Sequence, residues 1–217
     1  MCGIVGIYFK NPQKAFSLAL IAAGGVQHRG QQGAGVAVKT EKDLIVTRSD
    51  GLLRQIFPNS VISSYDLLSK WILVHCRYGT YGDYDERNLQ PCGAKNKDSM
   101  AALVHNGEFT SIDNLKKKLP FTLPEGISDT YVFTKFFEIS PGKTWEEKLI
   151  NSLKEIKGSY SLIIGAENEM FAARDNFGIR PLILGEIENG FIFASETHAL
   201  DKINANIIRE ISQAEIL

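Results

Sequence analysis

The amino-acid sequence predicts an α+β protein built on antiparallel sheets, and three observations support this prediction. Strand patterns and helix patterns are segregated along the chain more than they alternate, which argues against a doubly wound parallel sheet. Three strand patterns crowd residues 170–194, where Asn189-Gly190 supplies a turn signal. The chain has 217 residues, of which 44% are hydrophobic, enough for one sizeable core. We therefore expect a single domain over residues 1–217.

Nine short apolar runs, rich in β-branched and aromatic residues, have the length and composition of strands. They cover residues 3–8, 35–39, 44–47, 72–78, 100–105, 160–164, 170–174, 182–186 and 191–194. The runs 170–174 and 182–186 are close enough in sequence to predict a hairpin-like antiparallel pair, which 191–194 then follows after the turn.

Five segments space their apolar residues as a helix does. They are residues 12–27, 62–70, 112–119, 129–138 and 144–157. Pro12 suits the first turn of a helix, and Ser111 and Ser128 belong to the residue types that cap helix N-termini. These start signals strengthen the prediction for three of the five segments.

Composition and charge exclude several classes of function. A formal net charge of −1 gives no basic field for nucleic acid or anionic lipid, and no apolar stretch approaches the length of a membrane span. The three cysteines, Cys2, Cys76 and Cys92, have no metal-ligand spacing and fit a reducing compartment. We expect a cytoplasmic protein with no metal, no cofactor, no nucleic-acid partner and no membrane association, in which Cys76 and Cys92 are packing residues.

Cys2 has a chemical option that an internal cysteine lacks. If the initiator Met1 is removed, Cys2 carries both a thiol and a free α-amine, whose pKa is roughly 7.7–8.0. Such an amine is partly neutral near pH 7 and can accept the thiol proton, so nucleophile and base are one residue. The alternative is an ordinary small second residue ahead of a buried strand.

The glycine-rich segment 27–35 has the spacing of neither a P-loop nor a dinucleotide fingerprint. We therefore reject both nucleotide-binding interpretations, and its spacing alone indicates a plain turn. Arg77 ends a predicted strand, where its planar guanidinium suits a carboxylate and Thr80 offers a hydroxyl nearby. The commoner alternative is a surface arginine. His75 and His105 are interpreted as structural histidines with satisfied hydrogen bonds.

Two further segments leave similar alternatives. Asn106-Gly107 is above all a turn signal, yet an Asn amide and the next N–H at a strand end suit a developing oxyanion. Ser128-Asp129 could be only a helix N-cap, or Asp129 could accept from a ligand ammonium group.

Taken in order, six segments resemble the glutaminase domain of class II glutamine amidotransferases, most of all that of the amidophosphoribosyltransferase family. They are Cys2-Gly3-Ile4-Val5-Gly6, His28-Arg29-Gly30-Gln31, Arg77-Tyr78-Gly79-Thr80, His105-Asn106-Gly107, Ser128-Asp129 and the run from Arg174 to Leu182. The resemblance covers essentially the whole chain. It implies the N-terminal-nucleophile hydrolase fold, a four-layer α/β/β/α sandwich of two antiparallel sheets, and a role in purine biosynthesis.

The resemblance also implies a reaction and a set of site residues. Cys2 would attack the side-chain amide of L-glutamine, with Asn106 and Gly107 holding the oxyanion. Ammonia would leave, and water would then release glutamate from a thioester. The substrate-binding residues it implies are Arg77 with Tyr78, Thr80 and Tyr81 for the α-carboxylate, Asp129 for the α-ammonium, and Arg29 and Gly30 for the wall that closes over the substrate.

This sequence departs from the family pattern in two ways. Cys76, Tyr81 and Gln32-Gly33 replace residues more usual in the family, which affects the expected details of substrate closure. No segment has the apolar strand and paired acidic residues of a phosphoribosyltransferase site. The acceptor-using half would then be on a separate synthase or transferase chain, be cut away or not exist, and the protein could form a homo-oligomer. A non-catalytic, glutaminase-like regulatory or scaffolding subunit is the alternative from another class.

Overall fold

The computed structural model describes residues 1–79, 86–97 and 99–217. The strands in these residues are β1 (Gly3–Lys14), β2 (Gly33–Thr40), β3 (Leu44–Asp50), β4 (Leu68–Arg77), β5 (Cys92–Asn96), β6 (Ser99–Phe109), β7 (Gly158–Ala166), β8 (Glu169–Arg174), β9 (Ile183–Ile187), β10 (Gly190–Ala194) and β11 (Asn206–Glu210). The α-helices are α1 (Phe16–Gly24), α2 (Leu53–Ile56), α3 (Asn59–Tyr65), α4 (Ile112–Lys118), α5 (Asp129–Ile139), α6 (Trp145–Leu153) and α7 (Thr197–Asp201).

The strands form two antiparallel sheets. The larger sheet has the order β11-β9-β10-β1-β4-β2-β3, and the smaller has the order β5-β6-β7-β8. Strand β1 lies inside the larger sheet, where it pairs with β10 on one side and β4 on the other. The N-terminal segment is therefore held by two neighbours, which fixes the position of the residues just before β1.

Three apolar clusters show how the layers stack. One cluster joins the larger sheet to α1, α2 and α3, and another joins the smaller sheet to α4, α5 and α6. The third lies between the sheets and includes Trp71, Leu73 and Ile163. Helices thus cover the outer face of each sheet, while the inner faces pack together. This is the four-layer α/β/β/α sandwich that we expected, and the predicted fold is confirmed.

The two-residue period of a strand decides which side chains of β4 enter the space between the sheets. Trp71 and Leu73 belong to the cluster between the sheets, whereas Ile72 and Val74 belong to the cluster under the helices. Arg77 has the parity of Trp71 and Leu73. It therefore lies on the inner face, at the end of the strand.

The same period places two more predicted site residues on the inner faces. On the larger sheet, Cys2 has the parity of Ile4, and on the smaller sheet Asn106 has the parity of Val104; Ile4 and Val104 are both in the cluster between the sheets. His105 has the opposite parity on β6 and faces α5 instead. Alternation along three strands is therefore sufficient to bring a thiol, a guanidinium and a carboxamide to one layer.

The predicted helix over residues 12–27 is wrong in its first turn. Strand β1 continues to Lys14, with an irregular register between Tyr8 and Gln13, and α1 begins only at Phe16. Pro12 lies inside this irregular part of the strand, where a missing N–H costs no regular ladder hydrogen bond. Proline is compatible with the start of a helix and with a β-bulge. Here the pairing of β1 with β4 continues on both sides of Pro12, so the segment forms the bulge.

The predicted helix over residues 62–70 is correct only in part. Helix α3 ends at Tyr65, and β4 begins at Leu68, where it pairs with the end of β1. The strand gains partners on both sides, with β1 and β2, and this pairing ends the helical pattern early.

The predicted hairpin of 170–174 with 182–186 is wrong. Strand β8 pairs with β7 in the smaller sheet, whereas β9 pairs with β10 and β11 in the larger one. The connection between β8 and β9 therefore crosses from one sheet to the other. The turn that follows is confirmed, since Gly190 pairs with Ile187 across the β9–β10 hairpin.

The remaining helix predictions are confirmed in α4, α5 and a shorter α6. Ser128 caps α5, because its Oγ accepts a hydrogen bond from the Tyr131 N–H at 3.3 Å. No sequence pattern indicated α2, α7, β5 or β11, which are all of five residues or fewer. Every residue of β11 is exposed, so this strand has no buried face and no alternating pattern. Within the described ranges, no helix is both long and apolar enough to cross a membrane.

Candidate active site

Cys2 lies immediately before β1, against the end of β4. Its Sγ accepts a hydrogen bond from the Tyr78 N–H at 3.4 Å and lies 3.7 Å from the Tyr78 carbonyl oxygen, to which the thiol donates. The Gly3↔Cys76 pairing of β1 with β4 brings these atoms together. Two strands far apart in the sequence therefore determine where the thiol points.

The surroundings of Cys2 favour the protonated thiol. Burial raises its pKa, while the Tyr78 backbone hydrogen bond and the Arg77 charge act in the opposite direction. The hydrogen bonds described for Sγ are with backbone groups of Tyr78, which do not take up a proton at neutral pH. A reaction at this sulfur therefore needs a proton acceptor other than these partners.

The N-terminal amine lies in an environment that favours its neutral form. Burial lowers the pKa of the Met1 amine; the Cys2 thiolate would raise it, and the positive charges of Arg29 and Arg180 lower it further. With Met1 removed, the amine would belong to Cys2 itself. Among the groups next to the thiol, an amine with a lowered pKa is the one suited to serve as the base.

The Arg29 side chain binds the backbone of the N-terminal segment. Its Nε donates to the Cys2 carbonyl oxygen at 2.9 Å, and its Nη1 forms an ion pair with Glu196 at 2.5 Å. Gly30 is the next residue, and a Cβ at its position would lie 2.6 Å from the Cys76 carbonyl carbon. No larger residue therefore fits at this position without movement. The predicted residues Arg29 and Gly30 thus do lie beside Cys2, where they support the backbone around it.

Arg77 and Tyr78 end β4 next to Cys2, as expected from the sequence. Gln32, from a neighbouring loop, makes two hydrogen bonds to this end of the strand. Its N–H donates to the Arg77 carbonyl at 3.1 Å, and its side chain accepts from the Gly79 N–H. Thr80 and Tyr81, also predicted to bind substrate, lie outside the described residues. The segment 27–35, interpreted from spacing as a plain turn, is therefore one wall of the site.

Asn106 reaches the same layer from the smaller sheet. Its side chain is 1% exposed, and its Nδ2 lies buried without a hydrogen-bond partner among the described residues. An unpartnered buried donor is costly, and such groups in folded proteins call for an explanation. Gly107 follows with a φ of +153°, and a Cβ there would collide with the Ser159 carbonyl oxygen. Asn106-Gly107 lies inside β6, so the expected turn is absent.

Asp129 begins α5, and three donors fix its carboxylate. Oδ2 accepts from the Phe109 N–H at 2.9 Å, and Oδ1 accepts from the Thr130 N–H at 2.6 Å and from the Thr130 hydroxyl at 3.2 Å. The Phe109 contact joins the helix to the end of β6. Asp129 is therefore held at a set position relative to the strand that carries Asn106 and Gly107.

The prediction for His75 is wrong in one respect. Both of its ring nitrogens are buried without a hydrogen-bond partner in the described part of the chain. Burial lowers the pKa of His75 to about 3, with the His105 and Arg77 charges acting in the same direction. His105 makes one of its two ring contacts, 2.8 Å from Nδ1 to Thr130 Oγ1, and its Nε2 has no described partner. His75 is thus uncharged at neutral pH but not satisfied.

No sequence pattern indicated the contacts that Glu196, Gln90 and Thr130 make with the predicted site residues and their strand. Glu196 pairs with Arg29, and Gln90 and Thr130 connect β6 with α5 through His105. The partners in these three contacts lie between 15 and 167 residues apart, so no local spacing could have revealed them. The prediction for Cys76 and Cys92 is confirmed, because both are buried, with burial raising their pKa values to about 12 and about 11.

The fold and the position of Cys2 define a class of protein. Two antiparallel sheets with helices outside, and a cysteine just before a central strand of the larger sheet, are the architecture of the N-terminal-nucleophile hydrolases. A family model described as "Glutamine amidotransferase domain" matches residues 75–202. The chain belongs to the glutamine amidotransferase family, which confirms the enzyme class predicted from its sequence.

Relatives agree with this assignment. Amidophosphoribosyltransferase 3, chloroplastic, of Arabidopsis thaliana is 36% identical over 219 residues, covering 100% of this chain and 40% of the relative. Amidophosphoribosyltransferase of Bacillus subtilis (strain 168) is 33% identical over 220 residues, covering 100% and 45% respectively. The chain thus spans less than half the length of these relatives.

A solved structure shows the same fold. Glutamine phosphoribosylpyrophosphate amidotransferase from B. subtilis, complexed with ADP and GMP, superimposes with a TM-score of 0.88 at 32% identity, covering 100% of this chain and 46% of the other. The chain is therefore homologous to the N-terminal glutaminase part of the amidophosphoribosyltransferases. A second structure, described as the allosteric regulatory enzyme of purine biosynthesis, gives a TM-score of 0.90 at 32% identity, again covering 100% and 46%.

Proposed function

We propose that this protein hydrolyses the side-chain amide of L-glutamine to glutamate and ammonia, with Cys2 as the nucleophile. The observation that carries the proposal is the buried Asn106 Nδ2, which has no hydrogen-bond partner among the described residues and belongs to the layer that also receives Cys2 and Arg77. A donor left free in the layer that a thiol enters can serve a developing oxyanion. Membership of the glutamine amidotransferase family supports the choice of amide.

The reaction begins when the free amine of Cys2 takes the thiol proton. Sγ then attacks the amide carbon, and the resulting oxyanion accepts hydrogen bonds from Asn106 Nδ2 and the Gly107 N–H. The amine returns the proton to the leaving nitrogen, ammonia departs, and a thioester to the γ-carboxyl remains. Water, activated by the same amine, attacks the thioester, releases glutamate and restores the thiol.

The two charged groups on the α-carbon of the substrate are bound by side chains of opposite charge, one on β4 and one on α5. Arg77 at the end of β4 pairs with the α-carboxylate, assisted by Tyr78 and by Thr80 and Tyr81, which follow it in the sequence. Asp129 at the start of α5 accepts from the α-ammonium, and three donors already hold its carboxylate in position. Arg29 and Gly30 form the wall beside Cys2 that closes over the substrate.

We further propose that the ammonia is used by an acceptor-binding synthase or transferase, fused or separate, of the amidophosphoribosyltransferase kind. The similarity of the whole chain to less than half of several amidophosphoribosyltransferases supports this. A separate acceptor-binding chain would dock over the mouth of the site, and loop closure would couple the two reactions.

The proposal is tested by measuring glutamate release from glutamine by the purified protein, together with its intact mass. We expect glutamate release from a protein that begins at Cys2. Full activity in a preparation that retains Met1 would contradict the shared nucleophile and base. No release from protein that begins at Cys2 would favour the non-catalytic alternative.

We expect Arg77→Lys to raise KM for glutamine by about tenfold while kcat changes little. Lysine keeps the positive charge but loses the bidentate fork, and hydrogen bonds to charged groups are worth about 1.5–3 kcal/mol. Steady-state kinetics would measure this effect, with Arg54→Lys on exposed α2 as the matched control. A loss confined to kcat would show that Arg77 acts on the reaction rather than on substrate binding.

We expect kcat/KM to fall as the pH is lowered through the pKa of the N-terminal amine, because only the neutral amine accepts the thiol proton. Burial and the nearby Arg29 and Arg180 charges lower the pKa of the Met1 amine, and we expect the same surroundings to act on the amine of Cys2 once Met1 is removed. The acid limb of the profile should therefore lie below the ordinary α-amine range of roughly 7.7–8.0. The pH dependence of kcat/KM measures it, and an acid limb within or above that range would contradict this environment for the base.

A further inference from the structure

A buried hydrogen-bond network joins Asp129 to the strand that carries Asn106 and Gly107. Thr130 Oγ1 is at its centre, 3.2 Å from Asp129 Oδ1, 2.8 Å from His105 Nδ1 and 3.2 Å from Gln90 Nε2. Gln90 Oε1 also accepts from the His105 N–H at 2.6 Å, which closes the network on the backbone of β6. Gln90, His105 and Thr130 are 6%, 2% and 2% exposed, so water does not compete for these bonds.

The chemistry of the groups gives the network a direction. The Asp129 carboxylate only accepts, so the single Thr130 hydroxyl proton points to Oδ1. The hydroxyl oxygen then accepts from Gln90 Nε2 and from His105 Nδ1. Burial lowers the pKa of His105, so its ring is neutral. Because the hydroxyl proton is directed to Asp129 Oδ1, we assign the ring proton to Nδ1. Each of the three contacts to the hydroxyl then has one donor and one acceptor.

The network connects two parts of the site that sequence leaves unrelated. Asp129 is the residue proposed to bind the α-ammonium, and His105 immediately precedes the proposed oxyanion donors. Phe109 N–H provides a second link from β6 to the same carboxylate, at 2.9 Å. Asp129 is thus oriented from both sides by groups that do not themselves contact the substrate in the proposed mechanism.

We propose that Thr130 is a positioning residue. Its hydroxyl orients the Asp129 carboxylate toward the α-ammonium of the substrate. It also connects this carboxylate, through His105 and Gln90, to β6, the strand that carries the proposed oxyanion donors. This inference rests on the proposed function. It predicts that loss of the hydroxyl weakens recognition of the ammonium group in particular, since the carboxylate then keeps only the Phe109 and Thr130 N–H donors and loses its connection to His105 and Gln90.

The test compares two substrates in matched variants. Glutamine carries the α-ammonium, whereas glutaramate, the same chain without the amino group, does not. Thr130→Val replaces the hydroxyl with a methyl group of similar size, and Thr130→Ser restores the hydroxyl. Thr134→Val is the control, because Thr134 is a fully buried hydroxyl one turn along α5 that donates to the Thr130 carbonyl at 2.7 Å and not to Asp129.

For Thr130→Val we expect kcat/KM for glutamine to fall about tenfold, mainly through KM, and that for glutaramate to change less than about twofold. Thr130→Ser should return to within about threefold of the wild type, and Thr134→Val should affect both substrates equally. Circular dichroism checks that each variant folds, and Thr130→Ala, which introduces no new bulk, replaces Thr130→Val if that variant does not.

Equal losses for the two substrates, or no loss for glutamine, would overturn the role of Thr130 while leaving the proposed function intact. A wild-type protein that releases no glutamate would instead overturn the proposed function, and this inference with it. A loss for glutamine that Thr130→Ser fails to rescue would also overturn the role of the hydroxyl.

Discussion

Cys2→Ala is expected to reduce glutamate release from glutamine to background, a loss of at least about 10⁴-fold on the scale of other enzymes that lose their nucleophile. No thioester can form without the sulfur. The fold should remain, because the described hydrogen bonds of Sγ are with the Tyr78 backbone and Cys2 precedes the first strand. Steady-state glutamate release and the thermal unfolding midpoint measure the two effects.

The other thiols provide the control for this variant. Cys92→Ala should retain activity, since Cys92 is buried in the cluster under α5 and burial raises its pKa to about 11. Mass spectrometry under turnover should detect the glutamyl thioester on a peptide beginning at Cys2. Activity above trace level in Cys2→Ala would show that a different group is the nucleophile.

Asn106→Ala is expected to lower kcat by about 10²- to 10³-fold with a much smaller change in KM, as in sites that lose one oxyanion donor. The oxyanion exists only along the reaction path, so its donor stabilises the transition state and not the bound substrate. The buried Nδ2 without a partner is the group removed. Glutamine kinetics at saturating and limiting substrate separate kcat from KM.

Asn106→Asp provides a stricter comparison, because it keeps the shape of the side chain and replaces the donor with an acceptor. We expect a kcat at least as low as that of Asn106→Ala. If both variants instead raise KM at an unchanged kcat, Asn106 binds the substrate and the oxyanion role belongs to another residue.

Local sequence patterns predicted much of the fold because they report on the immediate neighbours of each residue. Short apolar runs rich in β-branched and aromatic residues identified most strands, helical spacing identified α4 and α5, and Ser128 marked the start of α5 correctly. The same patterns failed at Pro12 and at the segment 62–70, where pairing with β4 and β1 decided the outcome. A local signal compatible with two structures is resolved only by its tertiary partners.

The candidate site also combines residues that the sequence indicated with contacts that only the folded structure reveals. Cys2, Arg77, Asn106 and Asp129 were singled out from residue type and position, and their order along the chain resembles one family. Nothing local indicated that Arg29 would pair with Glu196, or that Gln90 and His105 would hydrogen-bond to Thr130 beside Asp129. These contacts link segments that meet only when the sheets have formed.

The sequence by itself determined the class of fold, the family resemblance and the identity of the groups proposed to react. The tertiary structure alone decided which strands share a sheet, since β8 and β9 are separated by a short loop yet lie in different sheets. It also decided which side chains enter the layer between the sheets, and that Asn106 Nδ2 has no hydrogen-bond partner there among the residues that the structure describes. The physical reason is that strand pairing and burial depend on long-range contacts, whereas local patterns constrain only the conformation of neighbouring residues.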